Sequence, residues 1–211
     1  MKTRDRIVEA ARNLFNLQGY GAVTTATLAA HLGIAEGNLW YHFKTRRALL
    51  DAIAEQFSRA IEARLALRPD NDPVAAYIVL LQAMMAEFRS FRFLYRDQQS
   101  YGEHTDIIRN RAPDWIERTY VQIEAHHTAL VDAHLLEWPK AQLHDLAINA
   151  TIILRYGLEH YRELGAPTGE GTGAVRRTLL RHLTLFEHGL TSEAAAKIRD
   201  AIGQIDAAPV H

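Results

Sequence analysis

The residues best suited to molecular recognition lie together between positions 36 and 47. Hydrogen-bonding groups and aromatic rings are followed there by three cations, in the order Glu36, Asn38, Trp40, Tyr41, His42, Lys44, Arg46 and Arg47. Amides and carboxylates read base edges in the major groove of DNA, while cations and hydroxyl groups bind phosphate oxygens. This combination of side chains predicts a surface for double-stranded DNA.

Two short helices must present this surface. The apolar spacing predicts one helix from about Thr25 to Leu32 and another from about residue 35 to residue 42. Gly33 separates them, because a tight turn needs a residue that tolerates positive φ. Leu28, Leu39 and Phe43 are apolar and are expected to hold both helices against a first helix. The pattern predicts a helix-turn-helix over residues 24–43, with its second helix in the major groove.

The rest of the chain reads as further helices, which predicts an all-α fold. A long helix is expected from Thr45 to Leu67, followed by a linker that ends at Pro73. Pro113 and Pro139 are each expected to open a helix, and an amphipathic helix is expected over residues 175–190, with Ser192 capping the last one. We therefore predict a DNA-binding domain at residues 1–46 and an effector-binding and dimerisation domain at residues 47–211.

Composition limits the class of protein. The chain of 211 residues contains no cysteine and no long uncharged apolar run, so a disulfide framework and a membrane span are not expected. No basic and apolar leader opens it, and we expect a cytoplasmic protein. Residues 1–50 carry seven Lys/Arg against three Asp/Glu, whereas the rest is acidic. A basic N-terminal part followed by an acidic remainder favours a polyanionic partner for the N-terminal part alone. Ordinary scatter of surface charge is the alternative.

Catalytic and metal-binding motifs are not found. The sequence lacks G-x-S-x-G, a glycine-rich phosphate loop and a helical H-E-x-x-H pattern. His126 and His127 are neighbours on one helix and cannot point the same way. We expect neither an enzyme, nor a cofactor, nor a metal site; an all-helical enzyme or ligand carrier is the rival hypothesis.

The segment from Gly37 to Arg46, GNLWYHFKTR, resembles the G-x-L-Y-Y-H-F-x-[ST]-K signature of TetR/AcrR-family transcriptional regulators. The resemblance covers roughly residues 4–53 and includes Thr24-Thr25, Gly33 and the Gly19-Tyr20 pair. Two positions depart from the family. Ala35 replaces the usual capping Ser or Thr, which leaves the recognition helix less firmly capped by about 1 kcal/mol. Trp40 replaces a Tyr and predicts a different base preference.

The resemblance implies roles for individual side chains. Those expected at phosphates or the DNA backbone are Thr25, Tyr41, His42, Lys44 and Arg46. Those expected at base edges or the groove wall are Thr27, Glu36, Gly37, Asn38 and Trp40. Asn38 is the best candidate for direct readout, because an amide pairs bidentately with adenine. Packing against the first helix is the alternative for Trp40 and Tyr41, and Gly37 indicates close approach either to DNA or to a neighbouring helix.

The resemblance also implies a ligand chamber and a two-fold interface in the C-terminal domain. Candidate chamber residues for an apolar or aromatic effector are Phe88, Phe91, Tyr95, Tyr101, Trp115, Tyr120, Asn149, Tyr156 and His160; ordinary core packing is the alternative for each. The apolar segments 146–161 and 175–190 are expected to pair between subunits, with burial inside one subunit as the alternative. The main hypothesis is a homodimeric repressor that binds palindromic operator DNA and is released by its effector. A regulator without a small-molecule effector is the second hypothesis.

Overall fold

The computed structural model describes residues 3–101 and 105–205, and helices account for nearly all of the regular structure there. The helices are α1 (Thr3–Gln18), α2 (Thr25–Leu32), α3 (Glu36–His42), α4 (Arg46–Leu65), α5 (Pro73–Ser90), α6 (Arg92–Arg96), α7 (Gln98–Tyr101), α8 (Asp106–Asp132), α9 (Leu143–Glu163), α10 (Ala174–Leu183) and α11 (Ser192–Gln204). Two 3₁₀ turns, Lys140–Gln142 and Glu187–Gly189, complete the set. In these two described ranges, no helix is both long and apolar enough to cross a bilayer.

Local signals explain where several helices begin and end. Gly19 follows α1 with φ of 92°, a conformation that glycine adopts without strain. The hydroxyl group of Thr45 accepts a hydrogen bond from the Ala48 amide at 3.0 Å, and the Asp72 carboxylate accepts one from the Ala75 amide at 3.1 Å. These side chains satisfy amides in the first turns of α4 and α5 that have no partner inside the helix. The predicted starts of both helices are confirmed.

Three predicted boundaries are wrong. Pro113 lies inside α8 rather than at its start, because the helix already begins at Asp106 and buries Ile108 ahead of the proline. The helix predicted over residues 175–190 ends at Leu183, and Phe186 leaves the helical region with φ of −138°. Leu190 instead pairs with Leu136 in an isolated bridge. The N-cap of α11 is the Thr191 side chain, which accepts from the Ala194 amide, and not Ser192.

The chain forms two compact units. The first comprises Met1–Glu62 with Glu87–Asp114, and the second comprises Ala63–Ala86 with Trp115–His211. In the first unit, the rings of Phe15, Tyr20, Phe93 and Tyr101 pack at centroid distances of 5.0–6.4 Å. All four residues are buried, so the core of this unit joins residues from both of its segments.

Hydrogen bonds join the end of α1 to the last residue of α5 and to the segment that follows it, within the first unit. The Asn16 side chain donates to the Ser90 carbonyl at 2.8 Å and accepts from the Phe93 amide at 3.0 Å. The Tyr20 amide donates to Asp97 Oδ2 at 2.7 Å. Arg96 completes the set by donating from Nη2 to the Phe15 carbonyl at 2.9 Å. This group of contacts, the α1 clamp, fixes the position of the helix against which α2 packs.

The second unit has a polar cluster at its centre. The Tyr77 hydroxyl lies 3.0 Å from His127 Nε2 and 2.5 Å from His182 Nε2, and none of the three side chains is exposed to solvent. One hydroxyl group cannot donate to both rings, so it donates to one Nε2 and accepts from the other. Burial lowers the pKa of both histidines to about 3, which keeps the rings neutral near pH 7.

Helices α9 and α10 of the second unit approach closely at Gly157. A Cβ built on Gly157 would lie 2.3 Å from Thr178 Cγ2 and 2.6 Å from Thr178 Oγ1. Thr178 is fully buried, and its hydroxyl group donates to the Ala174 carbonyl at 3.0 Å. The absence of a side chain at position 157 therefore sets the distance between these two helices.

Candidate nucleic-acid interface

Helices α2 and α3 form the predicted helix-turn-helix within the first unit. The Thr24 hydroxyl caps α2 by accepting from the Thr27 amide at 3.0 Å. Gly33 ends α2 with φ of 65° and ψ of 32°, and the Ile34 amide then donates back to the Ala29 carbonyl at 3.1 Å. This left-handed residue turns the chain sharply into α3. The predicted reason for a glycine at position 33 is confirmed.

The recognition helix α3 has one buried side and one open side. Leu39 is buried on α3, and Leu28, Ala29 and Phe43 are buried around it. The predicted base-facing residues of this helix, Glu36, Gly37, Asn38 and Trp40, are all exposed. A helix that is anchored by its apolar side and leaves its polar N-terminal half free has the geometry for entering the major groove.

The two aromatic residues of α3 are available to solvent. The Tyr41 side chain is 76% exposed and that of Trp40 is 37% exposed. Packing of Tyr41 against the first helix, the alternative interpretation, is therefore wrong, and Trp40 keeps more than a third of its surface free. His42 is half-buried beside them, with its ring 5.3 Å from the Tyr41 ring, and Lys44 is exposed.

Hydrogen bonds also hold the start of α3. Ala35 is its N-cap residue and makes no side-chain capping bond, as expected for alanine. The next residue, Glu36, instead accepts a hydrogen bond from Thr25 Oγ1 at 2.9 Å, which ties the first turns of α2 and α3 together. The carboxylate near the helix N-terminus also interacts favourably with the helix dipole. Thr27 is exposed, with Oγ1 2.8 Å from Thr24 Oγ1.

Gly37 has open space around it. Apart from its own helix and chain neighbours, no described atom lies within 4 Å of the place where a Cβ would stand, and its φ is not positive. A glycine inside a helix costs about 0.5–1 kcal/mol relative to alanine. Neither the backbone conformation nor a neighbouring helix of the first unit requires a glycine at this position. Packing against a neighbouring helix, one of the two explanations given by the sequence, is therefore not the reason for this glycine, and close approach to DNA stays a prediction.

Arg46 has a structural role that the sequence did not predict. Its guanidinium group donates to the Tyr20 carbonyl and lies 4.1 Å from the centroid of the Tyr20 ring and 5.7 Å from that of Phe15. This cation holds the start of α4 to the end of α1. The α1 clamp residues Asn16 and Asp97 were also missed, because no local pattern indicates bonds between positions 77 residues apart in sequence.

Comparisons with known proteins give one consistent answer. A model of bacterial regulatory proteins of the tetR family matches residues 7–53, and a second model, of a bacterial transcriptional repressor of the TetR type, matches residues 56–198. The second match alone covers more than half of the chain. The protein belongs to the TetR family. The predicted all-α fold with an N-terminal helix-turn-helix is confirmed.

Relatives of this TetR-family chain include curated repressors and solved structures. The tetracycline repressor protein class C of Escherichia coli is 34% identical over 94 residues, which are 44% of this chain and 41% of that protein. The class D repressor of Escherichia coli is 45% identical over 51 residues, 24% of this chain and 23% of that protein. The matched part thus spans less than half the length of these relatives.

Solved structures support the same fold over the whole length. A TetR-family transcriptional regulator from Marinobacter aquaeolei VT8 has a TM-score of 0.78 at 24% identity, and the match covers 97% of this chain and 98% of that one. The TetR-family protein CprB from S. coelicolor A3(2) has a TM-score of 0.69 at 18% identity, covering 97% and 96%. At these identities, the likeness concerns the fold alone.

The candidate chamber residues of this TetR-family protein are dispersed. In the first unit, Phe88, Phe91, Tyr95 and Tyr101 belong to aromatic packing, with Tyr95 in contact with Phe57 and Phe88 at ring distances of 5.4 and 5.1 Å. In the second unit, Trp115 is buried, Tyr120 and His160 are half-buried, and Asn149 and Tyr156 are exposed. None of the nine lines either of the two described cavities, which lie along α8.

Proposed function

We propose that this protein is a sequence-specific DNA-binding transcriptional regulator that acts as a homodimeric, effector-released repressor. The observation that carries the proposal is the open side of α3. Glu36, Gly37 and Asn38 are exposed on a helix whose position is fixed by buried Leu39. Among these side chains, the Asn38 amide has the donor and acceptor pattern that pairs with adenine.

A second copy of the chain is part of the proposal. One short recognition helix touches few base pairs, so such proteins usually read two half-sites about 34–36 Å apart or a multiple of that distance. Helix α9 carries two large apolar side chains that remain in solvent, Ile152 at 56% and Tyr156 at 49% exposure. They lie four positions apart and therefore on one side of the helix, next to exposed Asn149. This side is the proposed dimer contact.

Helix α4 is the proposed connection between effector and DNA. It runs from Arg46 in the first unit to Leu65 in the second, so one continuous helix belongs to both. An effector releases DNA only if it binds more tightly to the conformation that does not bind the operator. Operator DNA then weakens effector binding by the same factor. The Arg46 guanidinium group donates a hydrogen bond to the Tyr20 carbonyl oxygen. This bond joins the N-terminal end of α4 directly to the domain that contains the helix-turn-helix.

Selection of bound DNA from a random pool tests the function. Wild type is expected to recover a palindrome, because two copies present two α3 helices. The Asn38→Ala variant is expected to lose about 1–3 kcal/mol of discrimination between the preferred base and the other bases, at the same position in each half-site. Asn71→Ala, an exposed asparagine in the α4–α5 linker, is the matched control and is expected to keep the wild-type motif. Binding without any recovered motif, lost in moderate salt, would contradict the proposal.

Substitution of Gly37 by alanine is expected to have opposite effects on stability and on DNA binding. The free energy of unfolding is expected to rise by about 0.5–1 kcal/mol, since alanine is the better helix former. Operator affinity is expected to fall by about 1–3 kcal/mol, because the added methyl group meets DNA where the helix backbone approaches it. Thermal unfolding and a gel-shift titration with the selected operator measure the two effects.

Gly203→Ala provides the control for Gly37→Ala. Gly203 lies in α11 and also has open space around the Cβ position. This variant is expected to gain similar stability without any change in operator affinity. Unchanged affinity in Gly37→Ala would show that the backbone of α3 does not approach DNA closely at this residue.

A further inference from the structure

The hydrogen bond between Thr25 and Glu36 restricts an otherwise flexible side chain of the recognition helix. Thr25 Oγ1 donates to Glu36 Oε1 over 2.9 Å. The hydroxyl groups of Thr24 and Thr27 lie 2.8 Å from each other, so Thr25 is the threonine of this group that reaches α3. Threonine is β-branched and stiff at χ1. A bond to such a residue favours one position of the Glu36 carboxylate over the many that an exposed glutamate otherwise samples.

The second oxygen of this carboxylate remains available. Glu36 is exposed, and within residues 3–101 and 105–205 its Oε2 atom makes no hydrogen bond and no cation pairs with it. An ionised carboxylate only accepts hydrogen bonds. Glu36 Oε2 is therefore an acceptor of fixed position at the start of the recognition helix, and a donor for it must come from a bound molecule.

The single proton of the Thr25 hydroxyl group limits what this residue can do. The family resemblance implies that Thr25 binds a DNA phosphate, whose oxygens are acceptors. A hydroxyl group has one O–H donor, and Thr25 uses it on Glu36. Donation to Glu36 and donation to a phosphate therefore exclude each other.

A carboxylate without a cation is unfavourable at a DNA surface unless it meets a donor. The phosphates repel its charge, so Glu36 weakens binding to every sequence that offers it no hydrogen bond. Cytosine N4 and adenine N6 are the amino donors of the major groove. Adenine also presents the acceptor N7 beside its donor, which repels a carboxylate, whereas cytosine presents no acceptor there. Cytosine is therefore the base that fits Glu36.

We infer that Glu36 is a specificity-determining residue that selects a cytosine in each operator half-site, and that Thr25 is its positioning residue. Glu36 Oε2 accepts from cytosine N4, while Oε1 stays on the Thr25 hydroxyl group. Asn38 reads a separate base, since helix residues two positions apart do not share a face. The inference rests on the proposed function, because it names a base that the regulator reads.

Competition binding of the full-length protein tests the base preference. The competitors are the operator selected from the random pool and its variants with each of the four bases at each half-site position. Wild type is expected to prefer cytosine at one position by about tenfold. Glu36→Ala removes the acceptor and is expected to lose this preference, and to bind random DNA more tightly because a negative charge is gone. Glu55→Ala, at an exposed glutamate of α4, makes the same charge change and is expected to keep the cytosine preference.

Three further variants test the role of Thr25. Thr25→Val keeps the shape, removes the donor and is expected to reduce the cytosine preference about threefold, with other positions unchanged. Thr25→Ser keeps the hydroxyl group and is expected to restore the wild-type preference. In the Glu36→Ala background, Thr25→Val is expected to leave the base preferences as they are. Thermal unfolding identifies a variant that fails to fold, and Thr25→Ala then replaces Thr25→Val.

The inference is overturned if Glu36→Ala keeps the wild-type preference at every position, in which case Glu36 only ties α2 to α3. It is also overturned if the position that depends on Glu36 selects a base other than cytosine. An equal loss of affinity for all sequences in Thr25→Val would show that Thr25 binds phosphate and does not position Glu36. A palindrome recovered by wild type, with an unchanged profile in Glu36→Ala, rejects this inference alone. Failure of wild type to recover any motif rejects the regulator, and this inference with it.

Discussion

Acidification from about pH 7 to about pH 5 is expected to destabilise the protein strongly, through His127 and His182. Both histidines have a pKa near 3 in the folded protein, against about 6.5 in an unfolded chain. The unfolded chain therefore binds more protons below pH 6.5, and stability falls as the pH drops from there towards 3. The expected loss by pH 5 is about 2 kcal/mol for each histidine.

Thermal unfolding across this pH range measures the loss. In His182→Gln, the amide keeps a polar atom near the Tyr77 hydroxyl group but does not titrate, so the pH dependence is expected to fall by about half. His31→Gln, an exposed histidine of α2, serves as the control and is expected to follow wild type. An equal pH dependence in wild type and His182→Gln would show that His182 contributes nothing to the acid-induced loss of stability, and it would contradict the prediction.

Substitution of Gly157 by alanine is expected to destabilise the second unit by roughly 1–3 kcal/mol, the usual effect of an overpacked core. The new methyl group would stand 2.3 Å from Thr178 Cγ2, and Thr178 is fully buried and cannot move into solvent. Either the two helices separate or the threonine leaves its hydrogen bond to Ala174. The midpoint of thermal unfolding is expected to fall by about 2–4 °C for each kcal/mol.

A double-mutant cycle tests this explanation. Thr178→Ala removes the two nearest of the three Thr178 atoms that the new methyl group would meet, Cγ2 and Oγ1, and leaves only Cβ at 3.0 Å. Gly157→Ala is therefore expected to cost much less in that background. Gly203→Ala again supplies the control, because it changes a helical glycine that has open space around it. An equal cost of Gly157→Ala with and without Thr178 would contradict the close contact between α9 and α10.

The helix-turn-helix was predictable because its signals are local. Gly33, Leu28 and Leu39 lie within twelve positions of one another and specify the turn and the buried side of the motif. The same pattern predicted the exposed side of α3, since only Leu39 and Phe43 were expected to pack against the first helix. The start of α5 was equally local, as Asp72 and Pro73 are a cap and a first-turn residue.

Contacts between distant positions could not be predicted in this way. Tyr77 is 50 positions from His127 and 105 positions from His182, and each residue alone resembles ordinary core. The aromatic residues expected in a ligand chamber have the same ambiguity, because residue type does not separate a pocket wall from a packed core. Pro113 gave a wrong prediction for a different reason. A proline favours the first turn of a helix and disfavours its interior, whereas Pro113 lies inside α8.

The α1 clamp has a consequence for the order in which the protein folds during synthesis. Tyr20 and Asn16 leave the ribosome well before Phe93, Arg96 and Asp97, which complete their packing and hydrogen bonds. Translation therefore produces the whole helix-turn-helix before the residues that hold its first helix in place. During that interval, the aromatic rings of Tyr20 and its neighbours are not yet buried by the residues that pack on them in the folded protein. Stable packing of the nascent DNA-binding domain therefore depends on a segment synthesised about 70 residues later.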